Sequence, residues 1–177
     1  GNCFNGDCVV RKYACLTDAV EKGNLGGLTG ADEVGQQYAS LAGLPGIYRA
    51  WLSTGSGNPA SRFTSSPNGY MMPNGSLLAT SWNDLTDGSL ANKLNITQYG
   101  DLIDYGPECH ETRVWSNTTA DGETKDEFAD CQQWTFDGLQ LSGGIGNPGF
   151  GDEAWTDDDL CNPQRCNTFK HLYCFQQ

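Results

Sequence analysis

The side chains of this chain that could do chemistry are carboxylates and cysteines, with few bases beside them. Its 177 residues include 22 Asp and Glu, 10 Lys and Arg, eight Cys and two His. His110 and His171 are the only histidines, and the sequence has no Gly-x-Ser-x-Gly and no His-Glu-x-x-His motif, so the usual hydrolase and metalloprotease signatures are missing. Composition alone leaves room for a two-carboxylate glycosidase, but no distinctive acidic pair stands out. The sequence predicts a protein that is not an enzyme.

The densest run of carboxylates comprises Asp152, Glu153, Asp157, Asp158 and Asp159. Oxygen-rich loops can bind calcium, but this run lacks the Asp-x-Asp-x-Asn-Gly spacing of an EF-hand. A solvated acidic surface is the simpler interpretation. The cofactor prediction is therefore none, with the three consecutive aspartates at 157–159 kept as weak calcium candidates.

Trp82, Asn83 and Asp84 spell the triplet with which C-type lectins hold calcium and sugar. The companion Glu-Pro-Asn motif of those lectins is absent. We predict instead that Thr80 or Ser81 caps a single helical turn here, with Trp82 in the core. Four further aromatic residues lie in predicted loops and could either stack on sugars or complete the core: Tyr70, Tyr99, Tyr105 and Trp155.

The charge balance limits the partners. A net charge of −12 and the lack of any cluster of basic residues argue against nucleic acid and against an anionic membrane surface. No apolar run is long enough to span a membrane. The 23 Gly and 7 Pro describe a loop-rich domain with strands.

The cysteines point to an oxidising compartment. An even number, with no Cys-x-x-Cys pair and no zinc spacing, is typical of disulfides in a secreted protein. Asn74, Asn95 and Asn117 head N-glycosylation sequons. We expect a secreted or cell-surface protein, either with its leader removed or as a piece of a longer chain.

Residues 23–53 organise the chain. The pattern predicts a glycine-rich loop, a helix capped by Thr29 or Gly30, a turn at Gly43 to Gly46 and a strand over 47–53. Val34, Tyr38 and Leu41 form the apolar stripe of that helix, and Asp32 and Glu33 suit its positive end. Further strands are predicted over 9–16, 113–116, 128–136 and 168–176, the third with Cys131 and Trp134 packed inward.

Several motifs along the chain resemble those of bacterial endostatin-like extracellular domains, distant relatives of the endostatin domain of collagens XV and XVIII. They are GNLGGLTGAD, AGLPG and YRAWLS within 23–53, then ASRF at 60–63, SWNDLTDG at 81–88, VW at 114–115, CQQW at 131–134 and LYCF at 172–175. The resemblance covers nearly the whole chain. It implies an α+β fold of the C-type-lectin-like class, mixed and loop-rich, with short strands, one main helix and no enzymatic activity. The zinc site of endostatin uses N-terminal histidines, and none precedes His110 here.

The resemblance also suggests disulfides. The family usually joins a helix cysteine to the terminal strand, but the helix position here is Gly35, so Cys174 needs another partner. In a lectin-like fold the first and last strands are neighbours, which favours Cys15. A second family bridge corresponds to Cys131 with Cys166, and the simplest assignment of the rest is Cys3 with Cys8 and Cys109 with Cys161. Eight cysteines allow about 105 connectivities, so sequence alone leaves the pairing open.

We expect an N-terminal cysteine-bearing segment over 1–8, either a local clip or a cysteine bridge to another chain, followed by one endostatin-like domain over 9–177. The function expected first is a non-enzymatic structural or adhesive module, a self-associating subunit of a filament or surface coat. The alternative is a monomeric module that binds a glycan or matrix ligand.

Overall fold

The computed structural model describes residues 2–4, 7–103, 109 and 113–177, with backbone only for the residues before Val10. The strands are Asn2–Phe4 (β1), Asp7–Val9 (β2), Lys12–Leu16 (β3), Tyr48–Ala50 (β4), Tyr70–Met71 (β5), Leu77–Ala79 (β6), Val114–Trp115 (β7), Ser142–Gly143 (β8), Ile145–Gly146 (β9), Gln164–Arg165 (β10) and Tyr173–Gln176 (β11). The helical segments are Gly27–Leu41 (α1), Pro59–Arg62 (α2), Trp82–Leu85 (α3), Cys131–Trp134 (α4) and a 3₁₀ turn at Glu153–Trp155. This confirms the α+β class with one main helix and short strands.

The central sheet has five strands in the order β4-β11-β3-β5-β6. Only the β3–β5 pairing is parallel. The strand that carries Cys15 and the terminal strand are neighbours, as expected, and Cys15 lies directly opposite Cys174. The described residues also form three two-stranded sheets, β1-β2, β7-β9 and β8-β10.

Within the described residues, no helix combines the length and the apolar character that crossing a membrane requires.

Helix α1 packs on β4 and β11 through small residues. Its fully buried positions are Ala31, Gly35 and Ala39, whereas Leu41 is 63% exposed. The predicted stripe of Val34, Tyr38 and Leu41 is therefore wrong for its last member and only half-buried for the other two. The reason is distance: the helix lies so close to the sheet that a side chain at Gly35 would place its Cβ 2.9 Å from the Cys174 Sγ.

The start of α1 also differs from the prediction. The helix begins at Gly27, before Thr29 and Gly30, and its cap is Gly26, in a left-handed conformation with φ 80°. Asp32 consequently lies beyond the first turn. Its carboxylate accepts the backbone N–H of Ala50 at 2.9 Å and pairs with Arg62 at 2.6 Å, which covers the open edge of β4.

The main core is aromatic and lies on the other face of the sheet. Trp51 is at its centre, with ring centroids 4.9 Å from Trp155 and 5.2 Å from Phe175. Tyr173 and Phe175 point into this cluster while Cys174 points towards α1, the alternation expected of a strand buried on both faces.

Helix α4 replaces the strand predicted over 128–136. All four of its residues have positive φ, from 49° at Cys131 to 59° at Trp134, so it is a single left-handed turn. Such a turn is costly for L-residues, and tertiary contacts hold it. Cys131 is disulfide-bonded to Cys166, the Trp134 indole donates to the Ser53 carbonyl at 2.8 Å, and the Gln133 N–H donates to Asp130 at 2.8 Å.

This turn gives a direct test of the backbone assignment. Gln132 is exposed with φ 57°, and a left-handed residue costs about 1–2 kcal/mol that glycine avoids. Glycine also loses more conformational entropy on folding, which costs about 0.5–1 kcal/mol and offsets part of this gain. Gln132→Gly should therefore stabilise the protein by about 0.5–1 kcal/mol. Urea unfolding of the oxidised protein measures the change.

The matched control is Gln37→Gly, which places glycine at an exposed position of the right-handed helix α1. There we expect a loss of about 0.5–1 kcal/mol. If both variants lost stability equally, a left-handed turn at 131–134 would be contradicted.

The predicted disulfides Cys109–Cys161 and Cys131–Cys166 are both present. The predicted Cys15–Cys174 bridge is not formed, and both residues are buried free thiols. A hydrogen bond with Cys15, together with burial, raises the pKa of the Cys174 thiol well above its usual value. The register of β1 and β2 places Cys3 opposite Cys8, but the side chains of this predicted pair lie outside the described residues.

Candidate functional site

A cavity of about 960 Å³ opens at one end of the β7–β9 ladder. Arg113 directly precedes β7 and Asn147 directly follows β9. Because Val114 is opposite Gly146 in this antiparallel pair, the next residues along it, Arg113 and Asn147, are brought together at the end of the ladder. Both side chains are buried and both line the cavity.

Arg113 is the central group of the cavity. It is only 2% exposed, and its Nε donates to Asp158 Oδ2 at 3.1 Å. The same carboxylate oxygen accepts from Asn147 Nδ2 at 3.2 Å. Nη2 contacts the sulfur of Cys161 at 3.9 Å, while Nη1 has no hydrogen-bond partner among the residues that the structure describes. A buried guanidinium nitrogen without an acceptor is costly. Nη1 is closed to solvent in the unliganded protein, so a ligand oxygen that reached it after a local shift of its neighbours would relieve a penalty already present in the fold.

The loop that carries Asp158 is fixed to β9 by backbone and amide hydrogen bonds. The Asp158 N–H donates to the Ile145 carbonyl at 2.9 Å. Asn162 accepts from the Ile145 N–H at 2.6 Å and donates to its carbonyl at 3.1 Å, in the manner of an added strand residue. The Cys109–Cys161 disulfide holds the same loop. Asp158 is therefore held in place by a rigid support.

Two apolar side chains stand beside this polar floor. Phe150 is 47% exposed and lies in a turn that Asn147 stabilises. The Asn147 side-chain oxygen accepts the Gly149 N–H at 3.0 Å, and the Asn147 backbone carbonyl accepts the Phe150 N–H at 3.1 Å. Leu160, next to the disulfide, is 89% exposed. The cavity thus combines a fixed polar floor with an aromatic face, a common arrangement in ligand-binding sites.

Carboxylates line the rim. Asp157 and Asp159 share Lys125, at 2.6 and 3.1 Å, and hydrogen bonding to Asp157 raises the pKa of the lysine. Asp152 and Glu153 also line the cavity and form no ion pair within the described residues. The calcium candidates Asp157, Asp158 and Asp159 thus each face a protein cation, and the described part of the chain holds no group of three or more side chains arranged for a metal ion.

The lectin-like triplet has a structural role. Ser81 caps α3 by accepting the Asp84 N–H at 3.1 Å, and Trp82 packs on the aromatic core. The Asp84 carboxylate accepts both the N–H and the hydroxyl of Thr80, at 2.6 and 2.8 Å, and these bonds lower the pKa of Asp84. Both bonds go to Oδ2, so this oxygen is already engaged by the protein.

The other sequence candidates are dispersed. Of the loop aromatics, Tyr70 and Trp155 are buried in the core and Tyr99 is half-exposed. Tyr105, like His110, lies outside the described residues.

The three sequons are in different environments. Asn74 is exposed in a turn, where its side chain accepts the Ser76 N–H at 3.0 Å, and Asn95 is half-buried. Asn117 is 1% exposed, and its Nδ2, the atom that would carry a glycan, donates to the Asp126 carbonyl at 2.7 Å. In the folded chain this nitrogen is buried and bonded, and glycosylation of the three sequons stays a prediction.

His171 is structural. It is buried, with Nδ1–H donating to the Thr17 carbonyl at 2.6 Å, and burial lowers its pKa. The folded protein therefore disfavours the protonated ring relative to the unfolded chain, where histidine titrates near pH ~6.5. Folding stability should fall as the pH drops below about 6.5, by at most ~1.4 kcal/mol per pH unit.

Urea unfolding between pH 7.5 and 5.5 tests this dependence. His171→Gln, which keeps an amide donor for Thr17, should flatten the pH dependence even if it lowers stability overall. An unchanged slope in this variant would assign the pH dependence to other groups.

Sequence reasoning missed Arg113, Asn147 and Phe150. Arg113 was placed only at the start of a strand, and no local pattern marks it as a partner of Asp158. No known protein family and no curated protein matches this chain. Any function must therefore be inferred from the cavity itself.

Proposed function

We propose that this protein is a non-enzymatic extracellular module that binds a sugar-like ligand in the Arg113 cavity, on a fold of the endostatin-like, C-type-lectin-like class that its sequence motifs resemble. The unpartnered Nη1 of the buried Arg113 is the observation that carries the proposal. Sugar hydroxyls act as both acceptors and donors, so one can accept from Nη1 while others donate to nearby carboxylates. Phe150 offers a surface for the apolar face of a sugar ring.

Binding without turnover is favoured by the state of the carboxylates. A general acid for glycosidase chemistry is a carboxyl kept protonated by burial. Asp157 and Asp158 are paired with Lys125 and Arg113, and Asp152, Glu153 and Asp159 are exposed. None of the five combines burial with freedom from a cation. The two disulfides support an extracellular location.

A panel of oligosaccharides tests the proposal by calorimetric titration, with the release of reducing ends measured in parallel. We expect binding without cleavage, weakened about tenfold (~1.4 kcal/mol) by Phe150→Ala. Phe169→Ala is the control, because Phe169 is similarly exposed (46% against 47%) but does not line the cavity. Equal effects of the two variants would contradict the site, and new reducing ends would contradict the non-enzymatic assignment.

A second candidate, self-association, is favoured by the N-terminal hairpin. Strands β1 and β2 form a two-stranded sheet separate from the central one. Such a ribbon is marginally stable alone and presents two open edges, to which strands of other copies can add. This supports the filament or surface-coat function, and a cysteine of this segment would then be available to a bridge between chains.

Native mass with and without reductant tests this second candidate. We expect assemblies that disappear when residues 1–9 are deleted. A monomer at all concentrations would overturn self-association without affecting the binding proposal.

A further inference from the structure

The charges around the Arg113 cavity favour one class of sugar. Lys125 pairs with Asp157 and Asp159, and Arg113 with Asp158. Asp152 and Glu153 then remain as rim carboxylates with no cation in the described part of the chain. The buried charge of Arg113 is therefore neutralised by Asp158, while Asp152 and Glu153 leave the rim of the cavity with a net negative charge.

The Arg113 guanidinium does not reverse this preference. Its Nε is already committed to a carboxylate at 3.1 Å, so its charge is balanced while the two N–H groups of Nη1 lack an acceptor within the described residues. Neutral hydroxyl or ether oxygens can satisfy them. A carboxylate or sulfate ligand would also reach them, but only past Asp152 and Glu153 and into the field of a chain of net charge −12.

We infer that the ligand is an amino sugar, an oligosaccharide whose units carry protonated primary amines. Its ring oxygens would accept from Arg113 Nη1, its apolar ring face would lie on Phe150, and its ammonium groups would pair with Asp152 and Glu153. This deepens the proposed function and depends on it. Both rim residues are held by the backbone of the 3₁₀ turn that they begin, with Asp152 Oδ1 accepting the Ala154 N–H at 3.2 Å.

Three tetrasaccharides with the same linkage separate the possibilities, one built from glucose, one from N-acetylglucosamine and one from glucosamine. They differ only in the substituent at one ring carbon, which is a hydroxyl, an acetamide or an ammonium group. We expect the glucosamine tetramer to bind most tightly to the intact protein. The paired variant Asp152→Asn with Glu153→Gln should weaken its binding about fivefold to tenfold and leave that of the glucose tetramer unchanged.

General attraction to an acidic protein is excluded by a control with the same change in net charge. Glu33→Gln with Asp137→Asn removes two exposed carboxylates that do not line the cavity. We expect this pair to bind the glucosamine tetramer as the unaltered protein does. Equal weakening in both paired variants would overturn the inference, as would equal affinity for the three tetramers, although in that second case the proposed function would stand. If none of the saccharides bound, the proposed function would fail as well.

Discussion

Replacing Arg113 by methionine is expected to lower the free energy of unfolding by about 3–5 kcal/mol, because it leaves the buried carboxylate of Asp158 without its cation. Asp158 is only 4% exposed and, within the described part of the chain, would keep Asn147 at 3.2 Å as its one side-chain partner. The effect should be among the largest of any polar substitution in the protein. It is measured by urea unfolding of the oxidised protein at neutral pH.

The double variant Arg113→Met with Asp158→Asn separates the charge from the packing. Because it removes both charges and keeps a polar group beside Asn147, it should recover most of the loss and unfold within about 1–2 kcal/mol of the unaltered protein. The resulting double-mutant cycle gives the coupling between the two residues. A loss below about 1 kcal/mol for Arg113→Met alone would show that the ion pair is not buried as described.

Gly35→Cys is expected to create a disulfide with Cys174 and to raise the free energy of unfolding by about 2–4 kcal/mol under oxidising conditions. A Cβ at position 35 would lie 2.9 Å from the Cys174 sulfur and 3.5 Å from its Cβ. The second distance falls within the range of about 3.5–4.5 Å between the Cβ atoms of disulfides. Peptide mapping without reduction would find the new link, and Cys15 would remain a free thiol.

Gly35→Ala is the matched control, because it adds the Cβ without the bond. Alanine gains about 1 kcal/mol of helix propensity but crowds the Cys174 sulfur, which typically costs about 1–3 kcal/mol. We expect a net loss of up to ~2 kcal/mol, and a similar loss for Gly35→Cys in its reduced form. If Gly35→Cys linked to Cys15 instead, or remained reduced in oxidant, the close approach of α1 to β11 would be contradicted.

Features whose physics is local were predictable from sequence. The glycine-rich stretch before an amphipathic segment indicated the helix now seen as α1, and Ser81 three residues before Asp84 indicated the cap of α3. The class, α+β with one main helix and short strands, was implied by the family that the sequence motifs resemble, while composition by itself indicated only a loop-rich domain with strands. The neighbouring positions of Cys15 and Cys174 were also suggested by the fold class that the sequence resembles.

The tertiary structure alone decided which faces are buried and where the chain is strained. The buried stripe of α1 consists of Ala31, Gly35 and Ala39 because the sheet approaches too closely for larger side chains. Ala and Gly contribute little to a pattern of hydrophobic periodicity, so that pattern predicted the larger neighbouring residues as the buried face of the helix. In the same way, the turn at 131–134 has the composition of a strand, but a disulfide and the burial of Trp134 hold it left-handed.

The candidate site depends most on tertiary structure. Arg113 and Asp158 are 45 positions apart in the chain, and each is unremarkable among its sequence neighbours. The acidic cluster is visible in the sequence, but the sequence does not indicate which of its carboxylates is buried against a cation. That outcome is set by the β7–β9 pairing and by the loop fixed to β9, contacts between segments distant in sequence that leave no local pattern in either one.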